Sequence, residues 1–217
     1  MIRAFGYNEF LFLVSAMQWT LALSAIAFVG GATVGLVIAL ARTSDIKAVR
    51  LAATGYIQLF QGTPLLMQLF LVFFGATVLG LDLNPWAAAA LGLTLNASAF
   101  LGEIWRGCIQ AVPRGQWEAA SALGLRYPGL MRYVILPQAV KVAVPPTVGF
   151  LVQLIKSTSL AAIIGFTELT RAGQIINNAT FQPFLVFGIV AVLYFLMCWP
   201  LSLLSARLER RYALATR

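Results

Sequence analysis

The polar side chains in this sequence are few, and they interrupt apolar runs. Asn96 and Ser98 sit inside the run Trp86 to Trp105, and Gln153 with Lys156-Ser157-Thr158-Ser159 sits inside the run Val142 to Phe166. Gln61 and Gln68 flank Gly62-Thr63-Pro64 in a third run, Leu51 to Leu81. Amides, hydroxyls and one ammonium group are binding chemistry rather than bond-making chemistry. Neutral amides suit a zwitterion, and Lys156 could balance a carboxylate. The chain contains no His, so His-based acid–base catalysis and His-ligated metals are excluded. Cys108 and Cys198 lie in or beside apolar runs, with neither metal-ligand spacing nor a disulfide framework. A G-x-x-x-x-G-K-[ST] phosphate loop is missing, since Ile155 precedes the sole Lys-Ser pair, Lys156-Ser157. No catalytic residue, metal ligand or cofactor of its own is expected.

Composition says where these side chains are. Of 217 residues, 60% are hydrophobic and only 10% charged, and the mean hydropathy is +0.87. A soluble domain carries about a quarter charged residues, and a core of this size could not hide so much apolar surface. The reading is an all-α integral membrane protein, one transmembrane domain over residues 1–217. Polar groups at membrane depth are then the first place to look for a binding path. The competing occupation of each is a helix–helix hydrogen bond. For Lys156 it is snorkelling, or pairing with Glu103 or Glu168.

Five spans are expected. Leu11 to Ala41 is the first, with Gly31 and Gly35 spaced for helix packing. Arg42 to Arg50 is a basic connector. Gln61 and Gln68 share a helix face in the second span if the helix survives Pro64. Asp82-Leu83-Asn84-Pro85 is a tight turn before the third span, near whose end Glu103 and Arg106 are spaced for an i, i+3 pair. Pro145-Pro146 and the polar run at 156–159 argue that the fourth span faces protein or a wet cavity. Thr167 to Gln182 is an outer connector, and Phe184 to Ala206 is the last span. Twelve of the fifteen basic residues fall in the Arg42–Arg50 connector, the Arg106–Lys141 segment and the tail. The net charge of +8 thus lies between spans and marks no nucleic-acid site. With five spans those three segments share one side, which places the N-terminus outside and the C-terminus in the cytoplasm.

The longest polar-leaning interruption is Glu118 to Pro137, EAASALGLRYPGLMRYVILP. Val112-Pro113-Arg114-Gly115 is a turn signal, and Gln116 to Leu123 are helix formers. Glu118 is expected in the first turn, favoured by the helix dipole, and Gly124 should end the helix in a left-handed conformation. Pro128-Gly129 reads as a second break. About two turns of helix are unstable alone, so contacts must hold them. Ala119, Ala120 and Ala122 form a small face that another protein could approach.

The order Glu-Ala-Ala, three residues, Gly, nine residues, Val, one residue, Leu-Pro resembles the EAA loop of ABC-importer permeases. Gln61-Gly62-Thr63-Pro64-Leu65-Leu66, Glu103-Ile104-Trp105-Arg106-Gly107, Lys156-Ser157-Thr158-Ser159-Leu160 and Glu168-Leu169-Thr170-Arg171-Ala172-Gly173-Gln174 extend the likeness over nearly the whole chain. It is to the permease subunits of polar amino acid importers of the histidine/glutamine/arginine type. Gln61 departs from the usual Arg, Val134 from the usual Ile, and Ser157 from a frequent Asp. The resemblance implies a type I importer permease fold in a bacterial inner membrane. It implies a homologous permease as partner, identical or paralogous, and a cytoplasmic ATPase dimer that binds the ATP. A periplasmic solute-binding protein would deliver an amino acid. The loop at about 112–140 would be cytoplasmic, with Glu118, Ala119, Ala120 and Gly124 coupling to the ATPase. The other classes open at this point are a permease for sugars, metals or phosphate, an ion-driven transporter or channel, and a structural membrane subunit. Among amino acids a neutral polar or acidic one is expected, because the middle of the spans supplies no acid for a cation.

Orientation has a direct test. In a background without Cys108 and Cys198, Asp82→Cys should react with an impermeant thiol reagent from outside the cell. Arg126→Cys should react only after the membrane is opened. External labelling of Arg126→Cys would invert the topology.

Overall fold

A computed structural model describes residues 4–213; the basic residues Arg3 and Arg217 lie outside the described residues. The helices are α1 (Tyr7–Thr43), α2 (Lys47–Gln61), α3 (Leu65–Val78), α4 (Pro85–Gln110), α5 (Arg114–Ala122), α6 (Tyr127–Leu130), α7 (Leu136–Ser157), α8 (Leu169–Thr180) and α9 (Pro183–Ala213). A π-turn at Met131–Ile135 joins α6 to α7, and a 3₁₀ stretch at Thr158–Ile164 follows α7. No strand occurs among the described residues. The protein is all-helical, as the composition requires of a chain that must close its backbone hydrogen bonds within lipid.

Four continuous helical runs are long and apolar enough to cross a bilayer: Tyr7–Thr43, Pro85–Gln110, Tyr127–Ile164 and Pro183–Tyr212. Helices α2 and α3 meet at 99°, and taken as one broken span the pair brings the count to five. Helix therefore does not survive Pro64. Pro64 is itself extended (φ −61°, ψ 133°) and stands just before α3, where a missing N–H costs nothing. The basic connector is also shorter than expected. Helix resumes at Lys47, and only Ser44–Ile46 links α1 to α2, with the Ser44 hydroxyl accepting from the Ile46 N–H.

The long run Tyr127–Ile164 corrects a second expectation. Pro128 does not break the chain; it lies in the first turn of α6 and starts the helix that leads into the membrane. Pro137 falls one residue into α7, directly after the π-turn. Its ring would clash with the carbonyl four residues back, and the wider π-turn opens the helix at that point. Pro145 and Pro146 lie inside α7. The Pro145 carbonyl accepts from the Ser205 hydroxyl of α9 at 2.9 Å, so backbone next to the prolines is paired across helices.

The centre of the bundle is α4. It starts cleanly, with the Asn84 side chain accepting from the Ala87 N–H at 2.8 Å and Pro85 in the first turn. Its small residues let other helices close in. A Cβ placed on Gly31 would sit 2.6 Å from the Ala97 Cβ, and one on Gly35 would sit 3.0 Å from the Ser98 carbonyl oxygen. On the α3 side, Gly92 lies against Leu69. Leu23, Ala27, Leu69, Leu93, Ala97, Leu101, Phe150 and Leu154 form the main core around α4. Lipid tails are as apolar as leucine, so this packing is held by close contact rather than by escape from water. The Gly31 and Gly35 spacing thus has the packing role expected of it.

Gly31→Leu should lower stability by about 1–3 kcal/mol, the usual cost of overpacking, read as a lower thermal unfolding midpoint in detergent. Gly55→Ala, where an added Cβ meets nothing within 4 Å, should be neutral or gain up to about 1 kcal/mol. Equal midpoints for both variants would rule out the tight α1–α4 crossing.

Candidate functional site

The first candidate region is α5 and its exit. The helix begins at Arg114, two residues earlier than the sequence suggests, so Glu118 lies in its second turn and not its first. Glu118 and Ala119 are exposed, whereas Ala120 is 2% exposed. The small face is thus divided. Ala120 packs inward with Ile109, Val112, Leu130, Met131, Ile135 and Ala139, while Ala119 and Ala122 remain outside. Gly124 adopts φ +75°, the left-handed conformation expected at the helix end. Its N–H donates to the Ser121 carbonyl and the Leu125 N–H to the Ala120 carbonyl. The adjacent Leu123 is 82% exposed. The result is a short, rigidly closed helix seated on α6 and the π-turn, where they meet the end of α4, with a carboxylate, small residues and one leucine turned outward.

The second region is the break between α2 and α3. Gln68 is 6% exposed, and its Nε2 donates to the Phe60 carbonyl at 2.8 Å, the Thr63 carbonyl at 3.0 Å and the Thr63 hydroxyl at 2.9 Å. Its Oε1 accepts from Asn96 Nδ2 of α4 at 3.0 Å. Ser98 is fully buried and shares a 2.7 Å hydrogen bond with the Tyr56 hydroxyl. It also donates to the Leu95 carbonyl at 2.7 Å. Gln61 is exposed, and its Nε2 donates to the Ala99 carbonyl at 3.5 Å. Four candidate residues are therefore brought together, and all four are bonded within the protein, Gln61 by the longest of these bonds. Tyr56 and Thr63 were missed by the sequence reading, although Thr63 stands in the break itself.

The third region is α7 and the 3₁₀ stretch. Gln153 and Lys156 are exposed on α7, together with Pro146 and Gly149. Neither Gln153 nor Lys156 makes a side-chain hydrogen bond or ion pair among the described residues. The partners considered for Lys156 are engaged elsewhere. Glu103 is held by Arg106, whose Nε donates to its Oε2 at 2.9 Å, and Arg42 Nη2 lies 3.8 Å from the same oxygen. Thr158 is buried and donates to the Ile155 carbonyl, and Ser159 donates to the Lys156 carbonyl, each at 2.7 Å. Ser157 is half-buried at the last turn of α7.

Glu168 differs most from expectation. The segment read as an outer connector contains α8, and Glu168 is its fully buried N-cap. Oε1 accepts from the Arg171 N–H at 2.8 Å. Oε2 accepts from the Thr170 N–H at 2.9 Å and from the Tyr194 hydroxyl of α9 at 2.7 Å. The next residue, Leu169, donates its N–H to the Thr20 hydroxyl of α1 at 3.2 Å. A glutamate is outside the usual capping set of Ser, Thr, Asp and Asn, so residue type gave no warning.

The family model described as "Binding-protein-dependent transport system inner membrane component" matches residues 31–214. The chain belongs to this family. It is similar to the probable amino-acid ABC transporter permease protein YckA of Bacillus subtilis (strain 168), 37% identical over 206 residues, covering 95% of this chain and 91% of that protein. It is also similar to the L-cystine transport system permease protein TcyB of the same organism, 37% identical over 200 residues, covering 92% and 86%. Among solved structures it matches the crystal structure of an amino acid ABC transporter with histidines, at 39% identity and a TM-score of 0.87, covering 92% of this chain and 94% of that one. This inner membrane component therefore has the type I importer permease fold, and it is a multi-pass membrane component rather than a catalytic subunit. The match spans the bent pair, α4, α5 and α7, the elements that carry all three candidate regions.

In this permease the Gln68 amide should be a stability determinant. Gln68→Leu leaves the Phe60 and Thr63 carbonyls and Asn96 Nδ2 without that partner, at about 1–3 kcal/mol for each group left unpaired. Asn96→Ala removes one bond and should cost less. Thermal midpoints in detergent for both variants and the double variant give the comparison. A Gln68→Leu protein as stable as the parent would show that the amide does not hold the bend.

Proposed function

We propose that this chain is the membrane-spanning permease of an ATP-driven importer that moves polar amino acids. In this reading α5 is the coupling helix. A cytoplasmic ATPase dimer, which binds the ATP, receives its outward face, and a homologous permease completes the pathway. A periplasmic solute-binding protein delivers the substrate. The N-terminus is outside and the C-terminus cytoplasmic. The observation that carries the reading is the helix Arg114–Ala122, closed by Gly124 at φ +75° with Glu118, Ala119 and Leu123 turned outward. A short helix with a rigid exit and a small outer face suits a groove in another protein. Its inner face rests on the cluster that joins α4 to α7, so displacing it acts directly on two spans.

The amino-acid class draws support from the relatives, whose names refer to amino acids, cystine and histidines. Within this chain the candidate groups with no side-chain hydrogen bond among the described residues are Gln153, Lys156 and the adjacent Ser157 of α7, while Gln61, exposed at the end of α2, is bonded to the Ala99 carbonyl. Asn96, Ser98, Gln68, Thr158 and Ser159 contribute through the backbone they hold. An exposed amide and ammonium face at membrane depth cannot be left to hydrocarbon without a large cost, so this side of α7 belongs against the partner permease or a wet cavity. A neutral polar or acidic amino acid fits that set.

The test is uptake in proteoliposomes that contain the permease, its ATPase and its binding protein. Gly124→Val forces a β-branched residue into the left-handed region and should cut both stimulated ATP hydrolysis and uptake about tenfold. Glu118→Lys should do the same if the ATPase groove receives that carboxylate. Unlabelled glutamine or glutamate should compete with the transported amino acid, and Lys156→Met should weaken competition by glutamate. Normal hydrolysis and uptake in both α5 variants would remove the coupling role, and competition by arginine alone would remove the selectivity.

A further inference from the structure

An apolar cavity of about 320 Å³ lies between α1, α4 and α7, at the end of the bundle that carries α5. Leu36 closes it on the α1 side, Trp105 and Ile109 on the α4 side, and Val140, Val144 and Val148 along α7. Its single polar feature is bonded internally, since Trp105 Nε1 donates to the Thr147 hydroxyl at 2.8 Å. Nothing in the cavity can recognise a polar solute.

Two observations decide what fills it. The first is direction. At 3.6 residues per turn, Val144 and Val148 lie within about 80° of Val140 around α7, whereas Gln153 lies about 220° round. The amide-bearing face of α7 must meet protein or water, and the valine row that lines the cavity is turned away from it. The second is charge at its mouth. Lys141 is exposed between Val140 and Val144, at the point where α7 leaves its apolar stretch. One turn before Leu136, which also lines the cavity, exposed Arg132 lies 5.8 Å from the ring centre of exposed Tyr133. Neither Lys141 nor Arg132 has an acidic partner among the described residues.

We propose that this groove is a binding site for an anionic phospholipid of the surrounding bilayer. One acyl chain lies along Val140–Val148, a length of about 12 Å, and the phosphate headgroup sits on Lys141 and Arg132. Lys gives a point charge and Arg a fork matched to phosphate oxygens, with Tyr133 at the level of the headgroups, where aromatic rings gather. The inference needs only that the chain spans a membrane, and does not rest on what the chain transports.

The test is native mass spectrometry of the full, delipidated chain titrated with phosphatidylglycerol or phosphatidylcholine of identical acyl chains. Phosphatidylglycerol should be retained more tightly, and Lys141→Gln and Arg132→Gln should each weaken it about fivefold while leaving phosphatidylcholine unchanged. Both positions are exposed, so the variants keep their fold. Position of the chain is read separately, by quenching of Trp105 with acyl-brominated phosphatidylglycerol in a protein whose Trp19, Trp86, Trp117 and Trp199 are changed to Phe. Strong quenching supports the site. Equal retention of the two lipids, retention indifferent to both substitutions, or an unquenched Trp105 in a folded protein would each overturn it.

Discussion

The bend between α2 and α3 depends on one constraint: a backbone carbonyl at membrane depth needs a donor. The chain turns through 99° between α2 and α3, and such a turn opens the helical ladder where water is scarce. Gln68 supplies the missing donor. A single amide nitrogen serves the Phe60 and Thr63 carbonyls, and the amide oxygen takes the Asn96 proton. Low dielectric strengthens each of these bonds and makes each absence costly. The amide pair therefore does two things at once: it permits the break, and it pins the broken crossing to α4. The wide crossing angle needs a side chain that donates and accepts in one plane, which an amide does and a hydroxyl does less well.

With the bent pair fixed, α4 can serve as the common wall. Its small residues accept the glycines of α1 on one side and Leu69 on another, and Phe100 stacks on Phe150 of α7 at 5.8 Å. Helix α9 meets a different cluster, with Leu13 and Ala16 of α1 and Leu169 and Ala172 of α8. A third cluster lies under α5 and joins Ile109 at the end of α4 to Leu130 of α6, Met131 and Ile135 of the π-turn and Ala139 of α7. On the coupling reading this division matters. A push on α5 reaches Ile109, Ile135 and Ala139 before it reaches the main core, so it moves two spans together as a lever rather than deforming the packed centre.

Much of this was legible from the chain, for identifiable reasons. The span count follows from apolar length, because a bilayer demands about 20 apolar residues per helix. The left-handed Gly124 and the Glu103–Arg106 pair follow from local chemistry that operates within four residues. What was not legible involves longer reach. Pro128 reads equally well as a stop or a start until the next helix is seen to begin there. Gln68 and Asn96 are polar groups at membrane depth and look the same whether they meet a substrate or a carbonyl. The difference lies in residues 28 apart in the chain, and no local pattern carries it. Gln153 and Lys156 are polar groups of the same kind, yet neither has a side-chain hydrogen bond or ion pair among the described residues.

Glu168 sharpens the question of substrate charge. A fully buried carboxylate among the helices is the kind of acid that a cationic amino acid would need. Its oxygens are already committed: two backbone N–H groups open α8 on them, and Tyr194 donates a third bond from α9. A cation would have to displace these donors, and the start of α8 would lose its cap, at a cost of about 0.5–2 kcal/mol for the cap alone. Turning the carboxylate outward would also leave the Tyr194 hydroxyl without its acceptor in the interior. Glu168 is thus spent on joining α8 to α9, next to the Leu169–Thr20 bond that ties α8 to α1. The charge left in the last turns of α7 is the positive one of Lys156, with the neutral amide of Gln153 one turn before it, and on the proposed reading that balance suits a carboxylate on the ligand better than a second ammonium group.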